Sequence, residues 1–492
     1  MSTRRMAAQI TYCESRLVLR NSAARIPFRY GSACLTRCPQ ALLELVVEVD
    51  GTRQAGYSAD CLPPSWFDKT PEKPYSRQIE EMIAAIELSQ QVCGDEFSTP
   101  TNCFDGWLST LVQVQAEGAT RGWSPLLSSF GVSMLERALL DATARRHKRT
   151  FSQALRSGLY GIRPGEVHVE LAGAEPAEWL PARPADSIHV RHTVGLGDPL
   201  TSEDISRKDR QKDGRPQSLD EYIDRCGISY FKIKVSNQLE QDLERLCRIA
   251  SIIESRLGRE YHATLDGNEQ YREAAEFDEL IDAVRAEPAL KTLWDNVLVI
   301  EQPLARQIAL QADHTGGIRQ LSESKPVIID ESDGDLQSCA LALELGYRGV
   351  SSKNCKGPLK SVLNAGLLWN RNDRGRRADF VMTAEDLCTV GVVSVQADLC
   401  LAAALGLEHV EKNGHHFMPG LDYLPEADQQ AAVAAHEDFY EPQGESVGPR
   451  IEQGRFQIGS LQCSGFGFDV VPDMEQWTAA DAWEFSTLGL EE

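Results

Sequence analysis

The chain has 492 residues and a net charge of −23. It is long enough for two or more domains with large cores, and too acidic for a nucleic-acid partner held on a basic surface. No apolar run reaches membrane-spanning length: "VGVVSVQADLCLAAALGL" is interrupted by Gln396 and Asp398, so no membrane partner is expected. The first residues lack the apolar core of a secretory signal. Thirteen cysteines with no C-x-x-C pair suit a reducing compartment, and a cytoplasmic location is expected.

In chain order, "ALLELVVEVDGTRQAGYSAD" reads as two strands joined by an Asp-Gly turn. Helical periodicity follows in "SRQIEEMIAAIELSQQV" and in "GVSMLERALLDATARRHKRTFSQAL". Residues 161–186 are rich in Pro, Ala and Gly and read as a connection. "SEDISRKDRQKDGRPQSLDE" is a charged surface insertion. From about residue 187 short apolar strands alternate with amphipathic helices. The strands are "SIHVRHTVGL", "YFKIKV", "HATLD", "VLVIEQP", "PVIIDES", "GVSSKN" and "ADFVMT". Seven or eight such units over about 240 residues fit a parallel sheet closed into a barrel. An open doubly wound sheet fits less well, because no glycine-rich phosphate turn follows the first strand. The expected fold class is therefore α/β, a modified (β/α)8-type barrel behind an N-terminal α+β capping domain. The expected divisions are a capping domain over 1–165, a connection over 166–186, the barrel over 187–425, and a C-terminal segment over 426–492 that returns to the cap.

The polar residues of this half fall in one place. Period-two alternation puts Lys232 and Lys234 on the same face of "YFKIKV". Later strands end in Asp266 (with Asn268 two residues on), Glu301, Asp330 with Glu331, and Lys353. An acid at a single strand end is more often a cap or turn residue. Successive units delivering Lys/Lys, Asp, Glu, Asp/Glu and Lys to one barrel mouth are a different matter, since that mouth is where such barrels keep their active sites. Three converging carboxylates repel unless a cation lies between them. With only hard oxygen ligands on offer, Mg²⁺ or Mn²⁺ is the expected cofactor.

This order of residues resembles the enolase superfamily, specifically the mandelate racemase/muconate-lactonizing-enzyme family. "IPFRYGSACLTRCPQALLELVVEVDGTRQAGYSAD" and "SMLERALLDATARRHKRTFSQAL" are similar to parts of that family's capping domain. The resemblance implies that Asp266, Glu301 and Asp330 bind the metal. It makes Lys234 one base, assisted by Lys232, and Lys353 the base on the opposite face of a small carboxylate substrate. It also implies self-association. Removing a proton beside a carboxylate gives an enediolate that the metal stabilises, and the lysine base must fall from about 10.4 towards 7–8. Racemisation or epimerisation is the first reading, with dehydration or cycloisomerisation on the same equipment. A catalytically silent metabolite-binding relative is the rival from another class. Further expected substrate contacts are Asn268 and Glu331 beside the metal, and Glu385 in "FVMTAEDLCTVG". Arg29 and Tyr30, with Trp66, are expected on the lid. His415 and His416 are expected where dipeptide epimerases carry an Asp-x-Asp pair.

Overall fold

A computed structural model describes residues 7–31, 33–375, 378–444 and 446–491. The chain opens with three antiparallel strands, β1 (Ile10–Tyr30), β2 (Ala33–Val49) and β3 (Thr52–Cys61). The β2–β3 turn is at Asp50 and Gly51, both at positive φ (50° and 75°), as a tight hairpin turn requires. Strand β1 escapes a reading by alternation. Register shifts at Tyr12/Glu14 and Ala23/Phe28 reverse the inward face partway along it.

Three helices follow, Tyr75–Glu96, Cys103–Thr120 and Pro125–Arg146; the third lies on the sheet and the first two pack against that helix. The third lies so close to β3 that a Cβ on Gly56 would stand 2.1 Å from the carbonyl oxygen of Ala138; only glycine fits there. Sequence periodicity carries this helix on to residue 155, but the structure stops it at Arg146. Lys148 takes φ 50°, and a new helix, Phe151–Arg156, starts from a capping box between Thr150 and Gln153.

Eight parallel strands then form the barrel: β4 (Ser187–Val194), β5 (Tyr230–Lys234), β6 (His262–Asp266), β7 (Val297–Glu301), β8 (Val327–Ile329), β9 (Gly349–Ser352), β10 (Val381–Ala384) and β11 (His409–Lys412). Pairing of His409–Lys412 with His189–His192 closes the ring. Their apolar residues are buried against the surrounding helices, as strands covered on both faces require. One inward layer is aromatic: the Tyr230 ring lies 4.4, 4.8 and 5.2 Å from those of His189, His262 and His409. After the ring closes, Arg455–Gln457 adds antiparallel to β4. The tail then crosses to the cap, where Thr478–Ala479 pairs with β1 at Leu19 and Val18. Trp483 Nε1 donates to Asn21 Oδ1 at 2.9 Å. No described helix is long and apolar enough to cross a membrane.

Candidate active site

Because all eight strands run the same way, their C-terminal ends share one mouth. Lys232 Nζ donates to Glu301 Oε1 (2.7 Å), Glu385 Oε2 (2.9 Å) and Glu411 Oε2 (3.0 Å), and lies 3.3 Å from Asp266 Oδ2. Lys353 Nζ donates to Asp330 Oδ2 (2.6 Å) and to the same oxygen of Glu385 (2.8 Å). Lys234 Nζ donates to Asn268 Oδ1 at 2.7 Å and is 3.2 Å from Asp266 Oδ2. All of these charged side chains except Lys234 are at least nine-tenths buried, and Lys234 is close to that at 11% exposed.

One carboxylate oxygen from each of Glu301, Asp330 and Glu385 lies within 4.8 Å of the others. Asp266, expected as the third ligand, sits one lysine away, against Lys232 and Lys234. Glu385 takes the place beside the acids rather than a place on the pocket wall, and it is anchored from below by Arg191 Nη2 at 2.6 Å. The donor set suits a hard dication: every ligand atom is a carboxylate oxygen, and Glu301 Oε2 is buried without a hydrogen-bond partner.

Burial would push these lysines down, but the carboxylates outweigh it. Asp266, Glu301, Glu385 and Glu411 hold Lys232 well above its ordinary value, and Asp330 and Glu385 do the same for Lys353. Lys234 is raised as well, mainly by Asp266 against burial, with the Lys232 ammonium pulling it back down. This is the reverse of the lowered base expected from sequence. The reason is that the lysines themselves serve as counter-ions to the acids. Burial raises Glu301 well above the carboxylate range, helped by Glu385. Against the same burial, the lysines hold Asp266, Asp330 and Glu385 below it. Glu331 rises to about 7, through burial and the nearby Glu269 and Asp330.

Above the charges lies a narrow pocket of about 50 Å³, lined by Lys232, Lys234, Asp266, Asn268, Asp330, Glu331 and Lys353 below. Phe28, Tyr30, Leu35 and Trp66 of the cap form the roof. Lys353 Nζ sits 5.2 Å from the centroid of a Trp66 ring, within cation–π range. The Trp66 loop is latched to the barrel. Arg306 donates to Glu269 through Nε (2.7 Å) and Nη2 (2.9 Å), and to the carbonyl of Trp66 at 2.8 Å. Lys69 pairs with the same Glu269.

Three expected contacts fall elsewhere. Arg29 is exposed on β1 and does not line the pocket. His415 and His416 lie on a turn of helix, Gly414–Phe417, that carries them away from the mouth. There His415 Nε2 is 3.2 Å from His192 Nδ1, and His416 Nδ1 is 2.9 Å from the Tyr222 hydroxyl. Burial lowers both histidines. Two residues join the site without having been expected. Glu411 is the next-to-last residue of β11 and also accepts from Thr193 Oγ1 at 2.5 Å; "HVEKN" carries the same apolar-then-acid signal as the other strands. Lys356 Nζ donates to Ser351 O (2.7 Å) and to Asp330 Oδ1 (3.2 Å), from three residues beyond Lys353 on a single helical turn.

The fold is that of the mandelate racemase/muconate-lactonizing and enolase-superfamily structures. A member of the enolase superfamily from Listeria innocua superposes with a TM-score of 0.58 at 14% identity, over 96% of this chain and 98% of its own. Muconate lactonizing enzyme from Pseudomonas fluorescens, complexed with muconolactone, gives 0.56 at 16% identity, over 96% and 98%. Dipeptide epimerase from Enterococcus faecalis, complexed with Mg and the dipeptide L-Leu-L-Tyr, gives 0.54 at 13% identity, over 91% and 99%. No protein-family model and no curated protein matches the sequence.

Proposed function

We propose that the protein removes the proton α to the carboxylate of a small organic acid and returns a proton to the opposite face, a racemisation or epimerisation. One observation carries this reading. Lys234 ends β5 and Lys353 follows β9, the second and sixth staves of an eight-stave ring, so two amines open into one pocket from opposite sides. The acids lie on the staves between and beside them.

Glu301, Asp330 and Glu385, with Asp266 adjoining, would hold Mg²⁺ or Mn²⁺. The bound dication would act as a Lewis acid on the negative charge that builds on the substrate carboxylate as the proton leaves. Lys234 then serves as base on one face. Its ammonium must lose a proton first, and the Lys232 ammonium favours that loss. Asn268, which accepts from Lys234 Nζ, fixes where the amine points. Lys353 meets the other face, held between Asp330 and Glu385 and covered by Trp66. The roof of Phe28, Leu35 and Trp66 keeps water from competing for the reacting carbon. The same two amines also support cycloisomerisation or loss of water, with one lysine only steadying charge; product analysis separates these outcomes.

The test is deuterium uptake. The protein is incubated with Mg²⁺ and a panel of N-acyl amino acids, dipeptides and hydroxy acids in D₂O, and α-deuterium is read by mass spectrometry. Exchange is expected with at least one acid and is expected to be lost in the Lys234→Ala, Lys353→Ala double variant. Exchange persisting in that variant would overturn the mechanism. Metal binding with no exchange in any acid would favour a silent metabolite-binding protein.

A further inference from the structure

Three features stand outside the proposed reaction: the charged insertion after β4, the pair His415–His416, and the segment after residue 440. They meet around a second cavity of about 370 Å³, within the usual size of ligand pockets. Arg215 comes from the insertion, Tyr222 and Arg225 from the helix after it (Leu219–Cys226), His415 from the turn after β11, and Gln443 from the late ribbon. None of the residues lining it lines the active-site pocket.

Its charges do not cancel. Of the acids on its wall, Asp213 is held by the guanidinium of Arg25, and Glu441 pairs with Arg450 at 3.2 Å. Neither arginine on its wall pairs with a carboxylate among the described residues. Arg215 donates to backbone carbonyls, of Met418 at 3.1 Å and His415 at 2.5 Å. Arg225 donates to the carbonyl of Gly214 at 2.6 Å. A guanidinium has five N–H donors, so both keep donors to spare. His415 is 6% exposed, and its Nδ1 is buried with no partner. When Nε2 accepts from His192, Nδ1 carries the proton and becomes a third donor without an acceptor.

We infer that this cavity is a second ligand site, separate from the active-site pocket, and that it takes a small oxyanion, the carboxylate or phosphate group of a metabolite. Arg215 and Arg225 supply the charge, and His415 Nδ1 supplies the buried donor that orients it. Planar guanidinium pairs are suited to both kinds of oxyanion.

Isothermal titration of the full chain with succinate and, separately, with inorganic phosphate tests this and tells the two chemistries apart. At least one probe is expected to bind, and to bind equally in Lys353→Ala, where the active-site pocket is damaged and the second cavity is not. Affinity is expected to fall at least tenfold in Arg225→Ala, an exposed position whose loss leaves the core intact, and again in Arg215→Met. Binding unchanged in Arg225→Ala, binding lost in Lys353→Ala alone, or no binding of either probe at 10-millimolar order would each overturn the site. None of these outcomes depends on whether α-deuterium exchange is seen.

Discussion

Lys353 Nζ stands 2.8 Å from Glu385 Oε2, and that same oxygen accepts from Lys232 at 2.9 Å. Glu385 thus joins the two sides of the barrel mouth, and with Arg191 beneath it, three cations share one fully buried carboxylate. Replacing it by glutamine leaves those charges under-compensated in a low-dielectric interior. Glu385→Gln should cost about 3–5 kcal/mol of stability, read as a lowered urea midpoint with an unchanged slope.

Metal should act on the same cluster. Added Mg²⁺ is expected to raise the melting temperature, by the equivalent of about 2.7 kcal/mol at a hundred times the dissociation constant. EDTA should reverse the gain. Asp330→Asn should abolish it, because Asp330 is among the clustered acids.

The strand-end acids and lysines were legible in the sequence because each follows an apolar run and because alternation fixes which side chains look inward. What alternation does not encode is who pairs with whom once the ring closes. For that reason it does not show that Glu385 gathers with Glu301 and Asp330, or that Asp266 lies against Lys232 and Lys234 of the neighbouring stave. Lys356 was hidden because it sits on a helical turn, where period-two reasoning does not apply. The two histidines misled by position: they follow β11 closely, but a turn of helix takes them off the mouth. In the cap, bulges concealed β1, whereas the Asp50-Gly51 hairpin was plain.

Unlatching the roof should be measurable. Arg306→Ala removes the fork to Glu269 and the bond to the Trp66 carbonyl. The expected result is faster hydrogen exchange and proteolytic cutting within residues 62–73. Wherever a substrate is found, KM should rise more than kcat falls, while the global melting temperature changes by only a few degrees.

Glu136 predicts a pH dependence remote from the mouth. It is buried between the cap and the barrel, accepting from Leu359 N at 2.6 Å, and burial pushes it from 4.5 to about 8. The folded protein therefore holds this proton across a window in which the unfolded chain releases it. Stability should fall as pH rises through that window, by at most about 1.4 kcal/mol per pH unit from this group. Glu136→Gln should flatten the decline in urea midpoints measured from pH 5 to 8.

The closed ring has one more consequence. Strand count alone decides that β5 and β9 face each other, so the gap between Lys234 and Lys353 is indifferent to how much chain is spliced in elsewhere. The long detour between β4 and β5 could therefore be lengthened, shortened or exchanged during evolution, or by an engineer, as a module hung on a frame whose reactive span does not change.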